Sequence, residues 1–475
     1  MSMTEYLSQR PARFFEELSA IPRASGNEAG VADYLMCFAK ERGLDAYRDA
    51  ANNVLIRKAG SVGREAEPAL LLQAHTDMVA EAAFGTQHDF AKEGIVLCQE
   101  GNVLSAKGTT LGADDGFGVA LLLSALDSAS PSHPPLECLF TSSEEIGLIG
   151  AGAFDYSRIS ARRMLNFDSD EENLVVTGCC GGMRHDLTLP VVRVPGEGQG
   201  LEISLYGLCG GHSGGDIHKG RANALVTMGK LLKGLADETP FALVSLHGGD
   251  KDNAIPRDCT AVIRPECVEK AQAYLAAADR LLALWAPSDE DGERCISQKP
   301  VAIQNHMDAD STHRALEVLS VRNGVFAWQV EGIAPRTSRN LASVRTDDAA
   351  LHFCLSSRSP LAGEIDASAA ELDKLAGDLG GNIRHHSRYP GWDGAADSPV
   401  SGLWQSVYRA VTGGDIRATT IHAGLECGLI SAALPGLDVI SVGCNIFDLH
   451  TPAERMELDS FERIYRTLIA FLQKC

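Results

Sequence analysis

Short apolar runs set apart by polar turns alternate along this chain with longer stretches whose apolar positions recur every three or four residues. Continuous runs fit strands buried on both faces of a parallel sheet, and the longer period fits amphipathic helices. Four runs predict such strands: Ala69–Gln73, Leu136–Phe140, Met164–Phe167 and, far along the chain, Val439–Val442. Helices are expected over Asn27–Gly43, Asp115–Leu126 and Leu458–Gln473. The first is introduced by Ser25-Gly-Asn-Glu28, which has the form of a capping box. A late strand joining an early sheet implies an α/β domain interrupted by an insertion.

The boundaries fall at residues 1–183 and 389–475 for the sheet domain and 184–388 for the insertion, whose texture is α+β. Strand Leu201–Tyr206, helix Asn223–Ala236, strands Phe241–Leu246 and Cys259–Ile263, and helix Val268–Trp285 come first. A comparable order follows: helix Ser311–Ser320, strands Val325–Val330, Leu341–Arg345 and Leu351–Leu355, and helix Ser368–Leu379. Each half carries an arginine after an apolar strand, Arg264 and Arg358, so the insertion reads as a weak internal duplication.

Composition narrows the function classes. The 475 residues carry 42 basic against 63 acidic side chains, a net charge of −21, which argues against nucleic acid or an anionic membrane as partner. Neither a membrane-length apolar run nor a signal-type segment at Met1–Arg13 is present. Thirteen cysteines occur without a C-x-x-C pair, as expected of reduced thiols in the cytoplasm, and the adjacent Cys179 and Cys180 read as packing residues.

The chemistry lies in where acidic and histidine residues fall. His75-Thr-Asp77 follows the first strand, Glu144-Glu145 follows the second and Asp168 the third. His450 lies a short loop beyond the fourth, and Asp114 opens a helix. Singly, each has a plainer reading: a satisfied histidine, a solvated acidic turn, a helix N-cap. Together they converge on the carboxyl edge of one sheet, where sites of open α/β folds form. Two histidines and three carboxylates suit a pair of divalent ions such as zinc, with one carboxylate bridging.

These segments carry a family resemblance. His75-Thr-Asp77-Met-Val79, Thr110-Leu-Gly-Ala-Asp114, Thr141-Ser-Ser-Glu-Glu145-Ile-Gly147 and Asn166-Phe-Asp168-Ser169 resemble the M20 metallopeptidases. Gly210-Gly-His212-Ser-Gly214, His422-Ala-Gly-Leu-Glu426-Cys-Gly428 and His450-Thr-Pro452 are similar to its aminoacyl-histidine dipeptidase branch. The resemblance implies that His75 and Asp168 hold one metal, Glu145 and His450 the other, and Asp114 bridges. It gives Asp77 the task of orienting His75 and makes Glu144 the general base that takes a proton from the attacking water. Two zinc ions per chain are expected, with cobalt or manganese able to substitute. Asp115 stands where this branch usually has asparagine, a departure expected to leave function intact.

By the same resemblance the insertion is a lid of the dimerisation type, closing over a dipeptide substrate, with a homodimer as one assembly. Arg358 would clamp the substrate carboxylate and His212 would donate to the oxyanion. Asn223, Asn340, Gly424 and Glu426 would line the pocket, the last reading the substrate amine. Two rivals remain. Gly211-His-Ser213-Gly-Gly215 matches the G-x-S-x-G elbow of serine hydrolases, with Asp448 and His450 as later partners, but leaves the acidic cluster unexplained. A non-catalytic binding module would be signalled by loss of Glu144, which is present.

Overall fold

Every residue of Leu70–His75 and of Leu136–Thr141 is buried, as continuous apolar strands covered on both faces must be. They belong to an eight-stranded sheet in the computed structural model, which describes residues 10–127, 132–285, 294–330, 334–394 and 397–475. The strand order is Asp45–Arg48, Val54–Lys58, Leu136–Thr141, Leu70–His75, Arg163–Ser169, Asp438–Gly443, Leu174–Cys179 and Arg417–Ile421. Leu70–His75 runs parallel to both neighbours, and Asp438–Gly443 runs parallel to Arg163–Ser169. All four expected strands therefore end at one edge. His75 pairs with Thr141, so Glu144 and Glu145 begin just beyond the position level with His75.

The chain divides into two units, one of Met1–Cys179, Trp392–Thr420 and Leu425–Cys475, the other of Cys180–Gly391 and Ile421–Gly424. In the first, the tail helix Leu458–Lys474 buries Phe461, Ile464, Leu468, Phe471 and Leu472, a single apolar stripe. Phe461 meets Phe15 and Phe117 edge-on, each with centroids 6.4 Å apart, while Trp404 packs between Phe167 and Phe471. These rings join the N- and C-terminal segments into one core.

The capping box is corrected. Helix Ala29–Glu41 has Glu28 at its N-cap with no side-chain cap bond. Ser25 Oγ instead donates to Asp77 Oδ2 at 2.7 Å, and Glu28 Oε1 accepts from Ser143 N and Oγ at 3.0 and 2.8 Å. The helix begins at Ala29, three residues later than an N-cap at Ser25 would place it, so Ser25 lies outside the first turn.

The second unit is two interleaved βαββαβ halves. Arg193–Tyr206, helix Ala224–Glu238, Phe241–Gly248, Cys259–Pro265, helix Val268–Trp285 and Cys295–Met307 form one. Gly181–Pro190, helix Ala309–Val318, Ala334–Thr346, Ala350–Ser359, helix Ala362–Asp378 and Asn382–Tyr389 form the other. Each half has the spatial order fourth, first, third, second strand, and the two second strands meet through the pair Gly248 and Val344. The duplication is thus topological, with the first half inserted after the opening strand of the second. Arg264 and Arg358 occupy the third strand of their respective halves.

Candidate metal centre

His75 is the last residue of its strand and is 1% exposed. Its Nε2 lies 2.9 Å from Asp114 Oδ1 and 3.9 Å from Asp168 Oδ1. The other oxygen of Asp114, Oδ2, lies 3.3 Å from His450 Nε2, which is 3.1 Å from Glu145 Oε1. Asp114 thus offers one oxygen to each histidine. Ligand atoms of His75, Asp114 and Asp168 lie within 4.8 Å of one another, as do those of Asp114, Glu145 and His450, and those of His75, Glu144 and Glu145.

The electrostatics fit cations at this edge. Burial pushes the Glu144 carboxyl well above its ordinary range; His75 pulls it back, and Asp168 and Glu145 push it up again. Burial and then Asp114 raise the Asp168 carboxyl likewise. Buried carboxylates this close are stabilised by pairing or by a metal, and imidazole with carboxylate is a donor set that borderline divalent ions accept.

Local folding aims each group. Asp77, fully buried, accepts from the backbone N–H of Glu144 at 3.0 Å and of Glu145 at 3.2 Å, while its Oδ1 lies 3.4 Å from His75 Nδ1. Asp115 accepts from His75 N and from Gly118 N, both at 3.1 Å, and the Asp114–Asp115 peptide is cis. Both bonds need only an acceptor oxygen, which aspartate supplies, although burial pushes the Asp115 carboxyl well above its ordinary range. Beneath them Glu426, 0% exposed, accepts from Gln73 Nε2 and Thr141 Oγ1 through Oε2, while Oε1 has no hydrogen-bond partner. Burial, opposed by His75 and Thr141, leaves its pKa at about 7.

Sequence reasoning misses Arg23, Glu28 and Glu454, three buried charges bonded to these loops. In the sequence Glu28 stands out only as the end of the capping-box pattern, and nothing marks Arg23 or Glu454.

The remaining candidates lie in the second unit, Glu426 excepted. Arg358 Nη1 donates to Tyr389 Oη at 3.1 Å and Nη2 to Ser213 Oγ at 3.4 Å. A Cβ on Gly424 would lie 2.7 Å from the Tyr389 ring. Exposed His212 accepts at Nδ1 from Gly215 N at 3.1 Å. Asn223 caps helix Ala224–Glu238 and donates to Asn340 Oδ1, while Asn340 Nδ2 donates to Ala254 O, so both amides serve the protein interior.

The elbow reading of Ser213 is corrected as well. Gly211–His212 is a two-residue strand, and the turn after it leads to the 3-10 segment Ile217–Lys219 rather than directly into an α-helix. Ser213 lacks the strained strand-to-helix turn that exposes a nucleophile, and it is 1% exposed.

Residues 203–282 match the family model described as the peptidase dimerisation domain. The cytosol non-specific dipeptidase of Escherichia coli is 33% identical over 482 residues, covering 100% of this chain and 99% of that one. The crystal structure of aminoacylhistidine dipeptidase from Vibrio alginolyticus is 31% identical with a TM-score of 0.85, covering 100% of this chain and 98% of that one. An M20 family metallo-carboxypeptidase from Sulfolobus solfataricus shares the fold at 14% identity and a TM-score of 0.58, over 98% of this chain and 99% of its own. With this full-length identity joined to an edge built from two histidines and four carboxylates, the chain belongs to the M20 family of metallopeptidases.

Proposed function

We propose that this protein is a cytoplasmic dipeptidase whose site takes two zinc ions, with His75 and Asp168 on one, Glu145 and His450 on the other, and Asp114 between them. The observation that carries this reading is the placement of Asp114, one oxygen 2.9 Å from His75 and the other 3.3 Å from His450. When bound, such ions lower the pKa of water and polarise a carbonyl. Cobalt or manganese meets the same donors. The dipeptide substrate rests on the relatives named above, one a non-specific dipeptidase and one an aminoacylhistidine dipeptidase.

Glu144 is the proposed general base: it accepts a proton from the attacking water and returns it to the leaving amine. Asp77 holds the Glu144 backbone and keeps His75 oriented. Arg358, whose planar fork suits a carboxylate, is proposed to read the substrate's C-terminus, and His212 to donate to the oxyanion. Glu426, with one oxygen unpartnered, is proposed to read the substrate ammonium. Asn223, Asn340 and Gly424 are proposed to shape the substrate region of the second unit. The matched dimerisation domain supports a homodimer. None of the thirteen cysteines is joined in a disulfide, which supports a reducing compartment.

Metal analysis of purified protein and assay on carnosine, Ala-His, Leu-Gly and Cys-Gly test the proposal. Up to two ions per chain and loss of hydrolysis on chelation, restored by zinc, are expected. Full activity in metal-free protein would overturn it.

A further inference from the structure

Two buried charges outside the proposed ligand set hold the backbone that presents Asp114. Glu454, 2% exposed, accepts from four successive amides. Its Oε2 takes Leu111 N at 2.9 Å and Gly112 N at 3.0 Å, and its Oε1 takes Ala113 N at 2.8 Å and Asp114 N at 3.4 Å. Successive N–H groups turned to one side form a concave anion nest, and here a carboxylate some 340 residues further along the chain fills it. The turn that makes the nest depends on Gly112, whose φ is +69°.

Arg23, also 2% exposed, grips the other side. Its Nη1 donates to Thr76 O and Asp77 O, both at 3.1 Å, and its Nη2 donates to Gly112 O. One guanidinium therefore ties the residues that follow His75 to the loop that carries Asp114. Space is kept for it: a Cβ on Gly112 would lie 2.6 Å from Nη2, and one on Gly116 would lie 2.7 Å from it. Glu454 in turn belongs to the segment that carries His450. Its backbone N–H donates to Thr451 O at 3.0 Å, and Thr451 Oγ1 donates to Asp448 O at 2.7 Å. The same short turn thus supplies a candidate ligand and the clamp on the candidate bridge.

We propose that Arg23 and Glu454 are positioning residues that set Asp114 between His75 and His450 before any ion arrives. The inference rests on the metal-site reading above. Neither residue is assigned contact with substrate. Their effect passes through the backbone: with the loop already pinned, ion binding need not order it, and affinity rises because that entropy is not lost on binding.

The test uses the full-length protein, with zinc as the probe. In metal-free wild type, hydrogen exchange at the amides of Leu111, Gly112, Ala113 and Asp114 should be slow. Glu454→Gln replaces one accepting oxygen by a donor facing two N–H groups. Its zinc affinity, measured by competition with a chelator, should fall about 10- to 100-fold, the usual range for lost support behind a metal ligand. Excess zinc should then restore kcat, with KM for Ala-His unchanged. Arg23→Lys should behave in the same way, because an ammonium lacks the fork that spans both strands of contact. Wild-type zinc affinity in Glu454→Gln would overturn this inference alone. So would rapid exchange of the four amides in metal-free wild type, a measurement that decides the matter even where the variants do not fold. A wild type that takes up no zinc would overturn both this inference and the reading it rests on.

Discussion

Asp77 lies with Oδ1 3.4 Å from Nδ1 of His75. The same carboxyl receives the backbone N–H groups of Glu144 and Glu145, at 3.0 and 3.2 Å, and the hydroxyl of Ser25 at 2.7 Å. One buried group thus lies beside an imidazole and holds the backbone of an acidic turn. Asp77→Ala is expected to weaken zinc binding about 10- to 100-fold and to lower kcat as well. Zinc competition titration beside steady-state kinetics checks this. Unchanged affinity with a lost rate would confine Asp77 to aiming the turn.

Glu144 and Glu145 are adjacent, and Glu145 Oε1 lies 3.1 Å from His450 Nε2, whereas Glu144 is the proposed base. Glu144→Gln should keep metal content and lose roughly 10²–10⁴-fold in rate, the range of general-base loss. Glu145→Gln should lose metal instead. Elemental analysis of the two purified variants separates them, and identical metal contents would refute the division of roles.

Arg358 sits beside Tyr389 and Ser213 with its Nε unpartnered and buried. If it reads the substrate carboxylate, wild type should cleave Ala-His far faster than its C-terminal amide. Arg358→Ala should narrow that gap by harming the free acid, at about 2–5 kcal/mol in kcat/KM. Arg358→Lys should recover little. Equal preference for acid over amide in all three proteins would move the carboxylate site elsewhere, with Arg264 next to test.

His185 is fully buried between His385, 2.7 Å away Nδ1 to Nδ1, and Ser357 Oγ at 2.9 Å. Burial, then the charge of His385, then Arg339, hold its pKa down to about 3. An unfolded histidine titrates near 6.5, so between those values the unfolded chain binds the extra proton. This contribution to stability is complete above about pH 6.5 and is lost as pH falls toward about 3. Thermal unfolding midpoints across that window should fall less steeply in His185→Asn than in wild type. Parallel slopes would show that His185 does not carry the effect.

Much of this site is legible in one sequence because its parts follow from local pattern. Leu70–His75 and Asp438–Gly443 announce themselves as unbroken apolar runs, since a strand covered on both faces has no polar side to show. Ligand candidates at the ends of parallel strands then fall on one edge with no further information. Strand Asn382–Tyr389 escapes notice for the opposite reason: it is an outer strand, rich in arginine and histidine, with no fully buried position to mark it.

Other features depend on partners that only folding brings near. Ser25 and Glu28 have the letters of a capping box, yet Asp77 and Ser143 claim their side chains. Arg23 and Glu454 look like solvated surface charges until the fold buries them against carbonyls and amides of the Asp114 loop. The physical reason is range. Hydrophobic period and strand ends are properties of a few neighbouring residues, whereas the worth of a buried charge is decided by the dipoles around it, and those come from segments tens to hundreds of residues away.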